Sequence, residues 1–310
     1  MTDPLDVAGL TDQLAAAGLD PGQVADLVRR ALAEDLVDGT DVTTAATIDA
    51  GQLGQARAVP RQPGVVAGLP VAAAVFVLAS AGRVQVELAA ADGERVQPGQ
   101  ILLTATGPVR DLLTAERTAL NLLTHLSGVA TLTRAWVDAV SGTGAQIRDT
   151  RKTMPGLRAL EKYAVRCGGG LNHRMSLSDA ALIKDNHVAA AGSVTRAYQL
   201  VKQFAPDLPV EVEVDTVAQC AEAIEAGAEL ILLDNMPLAE LTECVALAAG
   251  HPVRLEASGG LSLDNAAAVA ATGVDYLAVG ALTHSAPVLD LGLDLDPEPI
   301  AIALFAKGQS

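Results

Sequence analysis

Eight of the chain's 21 basic residues fall between positions 148 and 184: Arg148, Arg151, Lys152, Arg158, Lys162, Arg166, Arg174 and Lys184. Only Asp149, Glu161 and Asp179 oppose them there, a local net charge of +5 inside a chain of −16. So acidic a protein repels anions at long range, and an anionic ligand therefore needs a local island of this kind. Arg158, Lys162 and Arg166 are spaced as one face of a helix. They read either as a solvated face or as partners of Glu161 and neighbouring elements. Arg151, Lys152 and Lys184 differ, because each stands at or near the end of an apolar run. In TRKTMPG the Pro-Gly turn stops the chain just after Arg151 and Lys152, and Lys184 follows the apolar run in ALIKDNH. A lysine beside buried residues is costly unless it meets an anion. Gly168, Gly169 and Gly170 permit close backbone approach and lead into His173 and Arg174. Arginine offers two parallel donors to a carboxylate or phosphate, and lysine a compact charge, so the cluster suits a ligand with several anionic groups.

The acidic residues are fewer but patterned. In PVEVEVD, Glu211, Glu213 and Asp215 alternate with valines and so share one face of a strand. Three carboxylates do not pack unpaired against helices, which favours the lumen of a barrel. Glu213 and Asp234 would then lie on adjacent strands near its mouth. They could hold ribose hydroxyls, meet Mg²⁺ through water, stabilise a cationic transition state, or neutralise the basic cluster. Two glycine-rich runs follow, ASGG at 257–260 and AVGAL at 278–282. As the last two strand ends of a barrel they suit a phosphate site built from backbone N–H groups.

These residues need elements to carry them. From about residue 145 apolar runs (AQIRDT, ALIKDNH, PVEVEVD, LILLDN, VRLEASGG, YLAVGAL) alternate with helix-like segments, several ending on Gly227, Gly250 and Gly273. The alternation predicts parallel βα units. Polar residues at nearly every strand end favour a barrel over an open sheet, since a barrel gathers strand ends around one mouth. Six strands are countable, so eight are not assured. The first ~110 residues read as a small α+β domain. Residues 22–36 form an amphipathic helix, TDVTT at 40–44 a polar loop, and 53–60, 84–89 and 101–106 β-like stretches. A long helix, LLTAERTALNLLTHLSGVATLTRAWVDAV, joins the two parts. The expected division is an N-terminal domain over 1–127, its first ~20 residues a loose extension, and a barrel domain over 128–286. Residues 287–310 are expected to pack back on the first domain.

Composition narrows the function classes. Half the residues are hydrophobic but only 2% are aromatic, so the core must be aliphatic. The negative charge argues against a broad nucleic-acid surface. Cys167, Cys220 and Cys244 are widely spaced with no CxxC pair, which argues against a disulfide framework or zinc knuckle and suits a reducing compartment. The N-terminus has no signal-peptide pattern and no apolar stretch is long enough to span a bilayer, so a cytoplasmic location is expected.

Within this frame, RDTRKTMPGLRALEKYAVRCGGGLNHRMSLSDAALIKDNH strongly resembles the signature stretch of the quinolinate phosphoribosyltransferase family, the type II phosphoribosyltransferases. ERTALNLLTHLSGVAT, VEVEVD, LLDNM and EASGG fit in the same order, and the likeness runs from about residue 25 to 292. The acidic pair and Thr-Gly loop of type I enzymes have no counterpart. The resemblance implies an incomplete parallel α/β barrel with an N-terminal sandwich-like domain. It implies decarboxylating transfer of phosphoribose from phosphoribosyl pyrophosphate to quinolinate in NAD biosynthesis, with Mg²⁺. It also implies a homodimer whose N-terminal domains cover the partner's barrel mouth. Carried over, Thr150, Arg151, Lys152, His173 and Arg174 would bind quinolinate, with Arg117 reaching in from the partner. Lys152 and Lys184 would face phosphoribosyl pyrophosphate. Glu213 and Asp234 would hold the ribose and the metal, and Ser258, Gly259, Gly260, Val279, Gly280 and Ala281 the 5′-phosphate. The rivals are a Schiff-base enzyme using Lys184, the molybdenum-associated relative of the same fold, and a non-catalytic anion-binding scaffold.

Overall fold

A computed structural model of the chain describes Leu5, residues 9–37 and residues 39–296. The described residues divide into two compact units. The first comprises the chain up to Thr131, Ala159–Cys167 and the chain from Ala286. The second comprises Leu132–Arg158 and Gly168–Ser285.

The first unit opens with helices α1 (Leu10–Ala16), α2 (Pro21–Asp35) and α3 (Val42–Thr47). The stretch read as a loose extension thus contains a helix, and Leu10 and Leu14 are buried because their spacing places them on one face. The stretch read as the polar loop TDVTT also holds the start of a helix. Asp41 accepts a hydrogen bond from the Thr44 backbone N–H, so the acid closes an N-cap that local propensity alone hid. Next come β1 (Leu53–Pro60), β2 (Gly64–Val65), α4 (Leu69–Ala79), β3 (Gln85–Leu88), β4 (Arg95–Val96) and β5 (Leu103–Pro108). Helix α4, sequence LPVAAAVFVLA, is apolar all round and buries eight of its eleven residues, forming the core of this unit. The long helix α5 (Val109–Ala139) leads into the second unit. Strand β12 (Leu291–Asp296) returns to pair antiparallel with β1, giving the sheet order β12-β1-β5-β3. Residues 297–310 lie outside the described residues.

Helix α6 (Arg158–Cys167) belongs to the first unit except for Arg158. Its basic residues are not a uniformly solvated face: Lys162 is fully buried, as is Glu161 beside it. Arg166 is exposed and donates to the Ala17 carbonyl.

The second unit is the parallel α/β half. Its strands are β6 (Gln146–Arg148), β7 (Ala181–Ile183), β8 (Val210–Val214), β9 (Leu230–Asp234), β10 (Arg254–Ser258) and β11 (Tyr276–Ala278). Between them run α7 (Asp185–Ala191), α8 (Val194–Phe204), α9 (Val217–Glu225), α10 (Leu238–Ala248), α11 (Leu263–Ala270) and the short α12 (Ala281–His284). All six strands pair in parallel in the order β6-β11-β10-β9-β8-β7, and β6 does not pair with β7. This is the incomplete barrel expected from the sequence, mixed with the antiparallel sheet of the first unit. The strands are short; β7 and β9 are nearly continuous in apolar residues, whereas β8 and β10 carry buried glutamates between apolar neighbours. Helices α8, α9 and α11 start on Ser193, Thr216 and Ser262, which cap them at fixed distance from the preceding strand. Gly227, Gly250 and Gly273 take left-handed φ values of 87°, 86° and 96°, the conformation that ends a helix and returns the chain to the sheet. The C-terminal ends of six strands are thereby held together at one side.

Candidate active site

At those strand ends lies a cavity of about 600 Å³. Its lining includes Thr150, Arg151, Lys152, His173, Arg174, Lys184, Glu213, Asp234, Ser258 and Gly259, ten of the residues singled out in the sequence. Asn235, Glu256, Leu182, Leu232 and Ala278 complete it. The basic cluster and the acidic residues, separated by up to 105 positions in the chain (Arg151 to Glu256), therefore face one space.

The segment after β6 is shaped by its own hydrogen bonds. Lys152 N–H donates to the Thr150 hydroxyl at 2.9 Å, and Thr283 donates to the Lys152 carbonyl at 2.7 Å. Arg151 keeps a buried Nε with no hydrogen-bond partner, a donor available to a ligand. The loop bearing His173 is pinned by the buried Asp149, which accepts from His173 N–H at 2.7 Å and from Asn172 at 2.6 Å. Arg174 donates to the Ala180 carbonyl at 2.9 Å. Burial, and then the nearby Arg151, hold the Arg174 guanidinium below its ordinary value. Two cations gathered in this way oppose one another until an anion arrives.

Lys184 is exposed rather than buried, and its ammonium is engaged by the Glu213 carboxylate. A Schiff-base nucleophile needs an uncharged amine free of such a partner, so this pairing weighs against that rival. Glu211, Glu213 and Asp215 are buried, half-buried and exposed in turn, a ladder from the interior to the rim of one strand. Asp234 accepts from the Asn235 amide at 2.8 Å, and Asn235 itself has φ +54°. A non-glycine residue in that region stores strain, which marks a site where its placement matters. Beside the basic cavity a second hollow of about 370 Å³ is lined by Asp185, Glu213, Asp215 and Asp234. An all-oxygen set of this kind suits a hard divalent cation such as Mg²⁺.

The proposed phosphate loops are brought together only in part. Ser258 and Gly259 line the cavity, whereas Gly260 lines an adjoining groove. Gly259 has φ +83°, and a β-carbon there would collide with the Asn235 amide. Val279 is buried and its N–H donates to the Arg148 carbonyl at 2.9 Å. Gly280 packs against the Lys152 side chain, where an added β-carbon would stand 3.0 Å from Cδ. Gly280 thus backs Lys152, and the cavity lining reaches Ala278 at the start of this loop. Arg117 is exposed on α5 in the first unit and is not in the cavity lining.

Two acids escaped the sequence reading. Glu256 stands in RLEAS, where a single acid between apolar neighbours looks like ordinary alternation, and it is fully buried. Glu211 was seen as one of three but not given a role. The signal available was its position two residues deeper than Glu213 on the same face.

Comparison with known proteins places this arrangement. The N-terminal domain of quinolinate phosphoribosyl transferase matches residues 41–127, and the C-terminal domain matches residues 129–294. The chain belongs to the quinolinate phosphoribosyltransferase family. A nicotinate-nucleotide pyrophosphorylase (carboxylating) from Mycobacterium leprae is 57% identical over 273 residues, covering 87% of this chain and 96% of that protein. A quinolinate phosphoribosyltransferase (decarboxylating) from Nicotiana glauca is 38% identical over 291 residues, 88% of this chain and 82% of that one. The crystal structure of NadC from Streptococcus pyogenes aligns with a TM-score of 0.86 at 42% identity, covering 91% of this chain and 99% of that one. As a member of this family, the chain has the fold and the cavity of a phosphoribosyl-transferring enzyme.

Proposed function

We propose that this enzyme joins quinolinate to phosphoribosyl pyrophosphate, releasing pyrophosphate and carbon dioxide to give nicotinate mononucleotide in NAD biosynthesis. The observation that carries the residue roles is the gathering of Arg151, Lys152, Arg174 and Lys184 around one cavity, with a buried Arg151 donor left open. Arg151 and Arg174 hold the two carboxylates of the pyridine, helped by Lys152 and Thr150, in the fork geometry that arginine offers planar anions. His173 is buried with both ring nitrogens engaged, so it shapes the segment carrying Arg174. Lys152 and Lys184 face the pyrophosphate. Glu213 and Asp234 face the ribose, and Ser258, Gly259 and Gly260 hold the 5′-phosphate through backbone N–H groups. Val279, Gly280 and Ala281, in the loop after β11, complete that phosphate cradle.

The pyridine nitrogen attacks C1 of the ribose as the bond to pyrophosphate breaks. Positive charge grows on the sugar beside Glu213 and Asp234, and negative charge on the leaving group beside Lys152 and Lys184. The alkylated ring nitrogen then accepts the electron pair of the departing carboxylate, carbon dioxide leaves, and the ring carbon takes a proton. Most of the catalysis is positioning and electrostatics. Mg²⁺, met through water by Glu213 and Asp234 with Asp185 and Asp215 at the rim, would neutralise pyrophosphate charge when bound. No helix among the described residues is long and apolar enough to cross a membrane, and the three cysteines are free thiols, which supports a cytoplasmic site of action.

The reading includes a homodimer in which the exposed Arg117 completes the cavity of a second copy. Mixing Arg151→Ala protein with Arg117→Ala protein should then restore about one quarter of wild-type activity, because half the dimers carry one intact site. An unrecovered mixture, or an active monomer in ultracentrifugation, removes the shared site. The reaction itself is tested by following nicotinate mononucleotide and carbon dioxide together in the presence of Mg²⁺. Equal yields of both, abolished by Arg151→Ala, support it. No turnover by folded protein transfers the assignment to the molybdenum-associated relative, with other acceptors.

A further inference from the structure

The floor of the cavity is a charged layer, of which this mechanism leaves the glutamates unused. Arg148, Glu256 and Glu211 come from β6, β10 and β8, alternate strands in the sheet order, which is how a barrel interior builds a layer. Glu256 and Glu211 are 0% and 3% exposed. Arg148 Nη1 donates to Glu256 Oε2. His173 Nε2 lies 2.6 Å from Glu211 Oε2 and 3.7 Å from Glu256 Oε1. Oε1 of each glutamate has no hydrogen-bond partner.

The nitrogen and oxygen atoms of His173, Glu211 and Glu256 are close enough to hold a metal ion. The imidazole argues otherwise. Its Nδ1 accepts the Arg174 backbone N–H at 2.7 Å, so Nδ1 carries no proton and Nε2 does. A ring in that tautomer is neutral and donates to Glu211 from Nε2, and its one lone pair, on Nδ1, is already taken by the Arg174 N–H. Glu211, Glu256 and the buried Asp149 then set three negative charges against Arg148, which bonds Glu256, and Arg174, which feels the Glu211 charge. One proton balances them. Glu211 already serves as the acceptor of His173, which leaves Glu256 to bear it.

We propose that Glu256 is a positioning residue that stands as a neutral carboxylic acid in the cavity floor, so that Arg151 and Arg174 keep their full attraction for the two substrate carboxylates. This rests on the reading of the site given above. Burial, and then the Glu211 charge, push the Glu256 carboxyl up to about 8, while Arg148 pulls the other way. The groups facing it are Arg148 on β6 and Asp149 just beyond, His173 in the loop above, Glu211 on β8, and Leu232 and Tyr276 on the flanking β9 and β11. Once Glu256 ionises, its charge repels the dianion above it. By linkage the protonated form binds the dianion more tightly, and the dianion in turn holds the proton.

The test is calorimetric binding of quinolinate from about pH 6.5 to about pH 9, a window in which carboxylates and arginines keep their charge. The wild-type protein should lose about tenfold in affinity with a midpoint near 8, as one added charge below the site predicts. Glu256→Gln should keep the low-pH affinity throughout, and a merely structural role would not flatten that profile. Parallel profiles in the two proteins overturn the proposal. So does loss of binding at every pH in Glu256→Gln that Glu256→Asp restores, because that would require an anion there. A divalent metal that co-purifies stoichiometrically and is absent from Glu256→Gln overturns it too. Should the variant fail to fold, a carbon-13 titration of glutamate-labelled wild-type protein decides the matter. One buried carboxyl titrating near pH 8 is expected, and complete ionisation of all glutamates by about pH 6 contradicts it. If quinolinate binds at no pH, the site reading fails, while that titration still judges Glu256.

Discussion

Each unit buries a glutamate against a histidine, yet the surroundings of the two pairs differ. In the first unit Glu161 on α6 meets His125 on α5 at 2.8 Å, the glutamate fully buried and the histidine side chain 24% exposed. That contact joins two helices. In the second unit His173 meets Glu211 at 2.6 Å, but a second carboxylate, Glu256, and a row of arginines and lysines lie around them. Here the charges do not close on themselves: Arg151 keeps an unpartnered Nε and Arg174 is pressed down by burial and by Arg151. A structural ion pair completes its own electrostatics, whereas a binding site leaves a surplus for the ligand to complete.

Breaking the first pair should cost the fold. Glu161→Ala is expected to lose about 3–5 kcal/mol of stability in denaturant unfolding, because it removes one side of a buried ionic contact. Its folded fraction should bind quinolinate within about twofold of wild type, because Glu161 is not among the residues lining the cavity. Removing surplus charge from the second region should do the reverse. Arg174→Ala is expected to weaken quinolinate binding about a hundredfold, roughly 3 kcal/mol for a charge-assisted pair, in calorimetry. The same variant should melt no lower than wild type, since relief of like-charge crowding offsets lost contacts.

The acid layer sharpens the contrast through pH. Glu256 has a folded-state value of about 8 against an ordinary 4.5, so the native state binds that proton more tightly than the unfolded chain. Its contribution to stability therefore falls as pH climbs through that window and is constant above it. Thermal melts should show wild-type stability dropping relative to Glu256→Gln between those limits, by about 1–3 kcal/mol once relaxation is allowed for. The smallest effect belongs to the phosphate end. Gly259→Ala forces a left-handed residue to carry a side chain against Asn235, and should raise KM for phosphoribosyl pyrophosphate by about tenfold. An unchanged KM would remove Gly259 from that role.

Much of this was legible in the sequence because it is local. The six strands, the helix-ending glycines and the strand-end positions of Arg151, Lys184, Glu213 and Asp234 follow from period, punctuation and order. What escaped depends on partners remote in sequence. Lys162 shares the spacing of Arg158 and Arg166, and nothing in that spacing reveals that tertiary packing covers it. Val42 and Thr44 have weak helix propensity, so the Asp41 cap decides a helix that composition disfavours. Glu256 becomes conspicuous only when β8 and β10, on either side of β9, bring it beside Glu211. The contact of Gly280 with the Lys152 side chain is likewise a partnership remote in sequence, which the run AVGAL alone does not reveal.

The most direct test of the account is calorimetric titration of quinolinate, with nicotinate as the single-carboxylate control, into wild-type, Arg151→Ala and Arg174→Ala proteins. Quinolinate should bind the wild-type protein at least tenfold more tightly than nicotinate, with each arginine variant erasing most of that difference. Equal affinity for the two acids, or a preference for quinolinate that survives both substitutions, would contradict the claim that these strand-end arginines read the dicarboxylate.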